Sequence, residues 1–331
     1  MPRFILRRAY FATLTILLVS IVVYGVFSIL PFDPAALTCG QKCTPAIVEA
    51  NRIKLGFDKP LWEQYWLFLS GIFLGRTYGA GSAEFTCPAP SFGYSFNENT
   101  CVTDMLKEAL PVTINLAIGA FVIWMVVGVG LGLIAAKFRG RYPDTLSSVF
   151  VLLGTSLPTF VTGLFFLIYV TIKWKIVPLS LKGYVSLTDD PVRYFQYFIL
   201  PWLTLAILYA AFYTRFTRAT VLETLGEDYI RTARAKGLSE KTVLLKHTMR
   251  AALAPIATSA GLDIAGLIGG AIITESIFNL AGLGRMTLQS VYEFDLSVVV
   301  ATTILAAAVV ISMNLLVDIA YGYLDPRVRI K

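Results

Sequence analysis

The residues that could do chemistry in this chain are few. Its single histidine, His247, has no carboxylate or hydroxyl partner at a spacing that would build a proton relay, so a structural or docking role is expected of it. No Gly-x-x-x-x-Gly-Lys-Ser/Thr loop is present to cradle nucleotide phosphates, no Gly-x-Ser-x-Gly elbow presents a nucleophile, and no His-Glu-x-x-His pair binds zinc. No catalytic residue is assigned. Asp263 lies within an apolar span, where a charge is costly and is expected to face a water-filled interior, with packing against a neighbouring helix the plainer alternative; Glu275, just after that span, is a second candidate carboxylate. Four cysteines, Cys39, Cys43, Cys87 and Cys101, lack Cys-x-x-Cys pairs and a nearby histidine. They are therefore expected to form disulfides, with no metal site, and local pairing of Cys39 with Cys43 and Cys87 with Cys101 is preferred among three connectivities.

The most chemically dense stretch is polar and basic. From Glu227 to Arg250 the chain carries Asp228, Tyr229, Arg231, Ala233, Arg234, Lys236 and Gly237, followed by His247. Its spacing predicts a short helix with Tyr229, Ile230 and Ala233 along one face, ended by Gly237 in the left-handed conformation. Ser239 then caps a second short helix carrying Val243, Leu244 and Leu245. Lying between two apolar segments, the stretch reads as a docking surface on a membrane channel. The simpler alternative is a solvated basic loop drawn to anionic lipid.

Those segments settle the class. The chain has 331 residues, 56% of them hydrophobic, a mean hydropathy of +0.69 and a net charge of +7. Six stretches reach the roughly 20 residues a spanning helix needs: 9–30, 110–136, 145–172, 194–214, 251–274 and 296–317. Arg3, Arg7 and Arg8 precede the first, with no small-residue cleavage site after it, so it reads as a retained anchor with its N-terminus inside. Six spans return the C-terminus to the inner side. Lys137, Arg139, Arg141 and the Arg231–Arg250 cluster then fall in short inner segments, and the four cysteines fall outside. Membrane orientation accounts for the net charge, and no nucleic-acid partner is expected.

The organisation expected is an N-terminal segment and first span over 1–30, an extracytoplasmic cap over 31–109, and a core over 110–331 with its inner loop at about 223–250. Within the cap, Lys59-Pro60-Leu61 opens an aromatic-rich stretch expected to lie as a helix on the outer leaflet, and 78–93 reads as loop. Pro158 should kink the third span; Pro201 and Pro255 lie in the fourth and fifth. Gly261, Gly266, Gly269 and Gly270 around Asp263 allow close helix approach.

At the basic loop the chain resembles the permease subunits of binding-protein-dependent ABC importers, specifically the first (B-type) permease of the dipeptide/oligopeptide and nickel branch. The resemblance is carried by Asp228-Tyr229-Ile230-Arg231-Thr232-Ala233-Arg234-Ala235-Lys236-Gly237-Leu238, by His247, and by Leu253-Ala254-Pro255. It extends to 55–61, to Ser156-Leu157-Pro158, to Glu275-Ser276-Ile277-Phe278 with Gly282-Leu283-Gly284, and to Leu324-Asp325-Pro326-Arg327. The general coupling motif begins Glu-Ala-Ala; Arg231, Thr232 and Ala233 stand at the matching positions, the form often found in the peptide branch. The stretch from Thr77 to Cys101 looks expanded relative to the family.

The resemblance implies an all-α, six-span type I importer permease in a bacterial or archaeal cell (inner) membrane, with the helix at 229–236 inserting into a groove on a cytoplasmic ATPase. It also implies a second permease, two ATPase subunits that carry the ATP and Mg, and an extracytoplasmic peptide-binding protein; no cofactor is expected in this chain. Pro158, Asp263 and Glu275 are the expected pathway residues. Nickel or an oligosaccharide is the alternative cargo. An ion-coupled transporter using Asp263 and Glu275 is the rival from another class, but no second copy of the Asp263 region suggests the inverted repeat such proteins carry.

Overall fold

The computed structural model describes residues 2–28, 44–56, 58–78, 85–95, 97–178 and 183–324. Long apolar runs become long helices. Five are apolar and long enough to cross a membrane: α1 (Pro2–Ser28), α4 (Val102–Lys137), α7 (Pro191–Leu225), α9 (Glu240–Ile268) and α12 (Leu296–Leu324). A broken pair, α5 (Tyr142–Ser156) and α6 (Thr159–Lys173), is long and apolar enough only when its two helices are taken together, and is bent by 96°. The sequence predicts one kinked span here. The helix instead stops, because Leu157 is extended before Pro158, as the ring of a proline demands of its predecessor, and Pro158 then starts α6.

α4 and α7 form the backbone of the fold. Gly128 and Gly132 of α4 lie against Ala210, Tyr213, Thr214 and Thr217 of α7 so closely that a Cβ at either would overlap its neighbours. This small-residue seam brings Trp124, Phe198 and Tyr213 together with no exposed surface. Asn115 secures the other end, accepting from the Tyr194 hydroxyl at 2.7 Å, while its backbone carbonyl accepts from Trp202 Nε1 at 3.0 Å. α5 joins through Asp144, which takes a two-pronged contact from Arg218 of α7 (2.6 and 2.9 Å) and the Gly140 N–H at 2.9 Å.

α1 lies beside α12, pinned by Arg8 to Asp318 at 2.7 Å and by Val23 and Tyr24 against Val300 and Ile304. The cap contains α2 (Pro45–Leu55), α3 (Leu61–Leu74) and two hairpins, β1 (Arg76–Tyr78) with β2 (Phe85–Cys87) and β3 (Tyr94–Ser95) with β4 (Thr100–Cys101). α3 matches the aromatic helix read from the sequence: Phe68 packs into the α1–α12 cluster while Trp62, Trp66 and Phe73 are exposed. The 78–93 stretch, expected to be loop, supplies β2. The expected boundary at 109/110 falls within α4, which begins directly after Cys101, and Cys87 and Cys101 are disulfide-bonded with Cα atoms 5.8 Å apart. Cys39 and Cys43 lie outside the described residues.

Candidate functional site

The basic stretch folds as a helical hairpin standing off the ends of two long helices. α7 ends at Gly226, α8 (Asp228–Ala235) turns back, and α9 begins after Ser239. Ile230 has no exposed surface, Ala233 is buried, and both pack on Val243 of α9 with Leu225 of α7 alongside. Those contacts are what hold α8 on the core. Gly237 ends it in the left-handed region at φ +78°, where its N–H reaches the Arg234 carbonyl at 2.9 Å and the Leu238 N–H reaches the Ala233 carbonyl at 3.3 Å. Ser239 accepts from the Thr242 N–H, as its sequence position predicts.

Tyr229 stands at the edge of the buried face: it lies about 40° around the helix from Ala233 and about 100° from Ile230, and 45% of it is exposed. The second helix carries Val243, Leu244 and Leu245 as expected; Val243 and Leu244 are buried, while Leu245, two positions on from Val243 and so on the far side of the helix, is half exposed. Asp228, Arg231, Arg234, Lys236 and Gly237 are all exposed, and His247 is half-buried. Arg234 forks onto Glu240 at 2.8 and 3.3 Å, closing the hairpin across the Gly237 turn. Glu240 was not singled out by the sequence, since a pairing six residues apart across a turn has no periodic signature. Partial burial, with Glu227 adding, raises the Tyr229 phenol above its ordinary range, so it is a neutral donor at physiological pH.

The expected pathway residues lie on three different elements. Pro158 is exposed at the α5–α6 break. Asp263 is half-buried on α9 and accepts a hydrogen bond from the hydroxyl of Tyr213, which is fully buried on α7. The helix-to-helix bond weighed as the alternative for Asp263 is therefore made, and it leaves part of the carboxylate side accessible.

Glu275 sits on α10 (Ile272–Ile277), beyond the break at Gly269–Gly270 that ends α9, and has no exposed surface. Its carboxylate accepts from Thr113 Oγ1 of α4 at 2.7 Å and from the Arg285 and Gly284 N–H groups at the start of α11 (Leu283–Tyr292), while the Leu283 N–H donates to Thr113 Oγ1 at 2.8 Å. It is a knot that ties the α10–α11 turn to α4.

Residues 128–330 match the family model described as binding-protein-dependent transport system inner membrane component, and residues 1–117 match that of the N-terminal part of such membrane components. The chain belongs to this family: it is a multi-pass inner-membrane permease subunit of a binding-protein-dependent ABC importer. Among curated proteins it is 35% identical over 331 residues to the glutathione transport system permease protein GsiC of Shigella flexneri serotype 5b (strain 8401), with 100% of both chains covered. It is 34% identical, again over 100% of both, to GsiC of Escherichia coli (strain K12). To the putative peptide transport system permease protein BAB2_1050 of Brucella abortus (strain 2308) it is 37% identical, with 99% of each covered. A chain of the inward-facing MetNI methionine ABC transporter superposes with a TM-score of 0.51 at 18% identity, covering 67% of this chain and 97% of that one, which shows a shared importer-permease fold.

Proposed function

We propose that this chain forms half of the translocation pathway for short peptides, and that α8 is the element through which cytoplasmic ATPases drive it. The observation that carries the coupling reading is the build of α8. Its apolar ridge is spent on Val243, so its whole polar face, with Tyr229 at one edge, is left for a partner. The peptide assignment is supported by the full-length relatives, whose names specify glutathione and peptide transport.

The partners are a homologous second permease, two ATPase subunits that bind and hydrolyse ATP with Mg, and an extracytoplasmic peptide-binding protein. This chain hydrolyses nothing and carries no cofactor of its own. Both termini lie on the cytoplasmic side, with the cap outside, and the aromatic face of α3 rests on the outer leaflet. Pro158 and Asp263 border the pathway, Pro158 at the broken span and Asp263 through its accessible side.

The test is gentle purification of the tagged chain from its native membrane, with mass spectrometry of what accompanies it. Recovery of a second permease, P-loop ATPases and a peptide-binding protein is the expected result. A stable complex without any ATPase would overturn the reading.

A further inference from the structure

At the cap end of the molecule a cleft of about 380 Å³ separates two walls of opposite charge. One wall carries Glu98, in the β3–β4 turn, and Glu108, near the start of α4; the other carries Arg285 on α11. Met105 and Met286 line the apolar space with them. Among the described residues none of the three charged side chains makes an ion pair, although nearby charges do pair, as Lys107 does with Asp104. Unpaired carboxylates and an unpaired guanidinium on different walls of one cleft make a receptor for a ligand that carries both charges itself. The volume lies within the range of small-molecule sites.

We infer that this cleft binds the substrate peptide by its two termini. The α-ammonium sits between Glu98 and Glu108, and the terminal carboxylate takes the fork of Arg285, the side chain best matched to a carboxylate. Met105 and Met286 meet the peptide's side chains, and flexible thioethers adapt to varied shapes without selecting one. The site thus reads what all short peptides share. This inference rests on the peptide-importer reading above and adds to it a specific place in this chain where substrate is held.

The experiment uses the detergent-purified complex of both permeases and the ATPases, without the binding protein, and radiolabelled trialanine in equilibrium dialysis. Saturable binding is expected, weakened tenfold or more by Arg285→Gln, on the order of what losing a charged hydrogen bond costs. N-acetyl-trialanine and trialanine amide should each bind the unaltered complex about tenfold more weakly, which tests the site even if a variant fails to assemble. Glu108→Gln should weaken trialanine yet leave the N-acetylated peptide unaffected. No saturable binding, equal binding of the blocked peptides, or an Arg285→Gln defect confined to association of the binding protein would each overturn the inference. Binding-protein-dependent peptide uptake in reconstituted vesicles separates the two levels. Uptake without cleft binding removes the cleft alone, whereas absence of uptake for any peptide removes the importer reading as well.

Discussion

Gly237 closes α8 at φ +78°, a conformation that strains any residue bearing a Cβ. No atom lies near enough to obstruct a side chain there, so substitution acts through backbone strain alone. Gly237→Val is expected to fray α8 and uncouple ATP hydrolysis from uptake with the subunit still in the membrane, while Gly237→Asn retains most coupling; normal uptake by the valine variant would refute the docking role. Glu275 was visible as a carboxylate in an apolar stretch, but its ligands, Thr113 and the α11 amides, are far away in sequence or belong to backbone, and no pattern announces them. Gly282→Ala would drive a Cβ into that carboxylate and is expected to lower assembled yield more than Gly266→Ala, where the space is open; equal yields would count against the knot.

At the scale of elements, the long helices were legible by length and apolarity, whereas their breaks were not. Leu157–Pro158 reads as a kink until the 96° turn is seen, and the Gly269–Gly270 break ends the fifth span short of the expected Thr274, leaving Thr274 and Glu275 on a separate short helix. Between elements, the Asp144–Arg218 fork joins α5 to α7. Asp144→Ala leaves the guanidinium and the Gly140 N–H without their acceptor and should cost about 1.5–3 kcal/mol, read as a lowered melting temperature of the purified complex. The double variant with Arg218→Ala should lose less than the sum of the two single losses; strict additivity would show the fork to be idle.

Asp295 links other elements, since it accepts from Ser95 of the cap and from the Val298 N–H of α12, and burial holds its carboxyl above the usual range despite those bonds. Because the folded value is raised, its contribution to stability is complete below the ordinary carboxylate range and declines as pH rises through the raised value. Asp295→Asn keeps an acceptor for the Val298 N–H and should flatten that part of the stability–pH curve. An unchanged curve would assign the dependence elsewhere.

For the whole molecule, the cap is joined to the core by more than proximity. Cys87 and Cys101 bind the two hairpins at the root of α4, and Asn97 reaches the Glu293 carbonyl just before α12. A bridge closing a loop of this size contributes about 3 kcal/mol in the chain-entropy picture. Replacing both cysteines with serine is expected to raise proteolytic cutting between β1 and β4 while ATPase association is retained; cutting at the unaltered rate would show the bridge to be dispensable. The even cysteine count predicted disulfides and the preference for local pairing named this one among three connectivities, but neither showed that the second cysteine would abut a long apolar helix.

That continuity has a counterpart at the opposite end. α9 runs from Glu240, beside the α8 hairpin, past Asp263, a path of about 35 Å at the rise of a helix. Arg234 and Glu240 clasp the hairpin to its first turn. Under the coupling proposed above, a push on α8 would meet no slack linker: it would be delivered along a single strut, and the stroke at one end would be felt as tilt or twist where the carboxylate stands at the other.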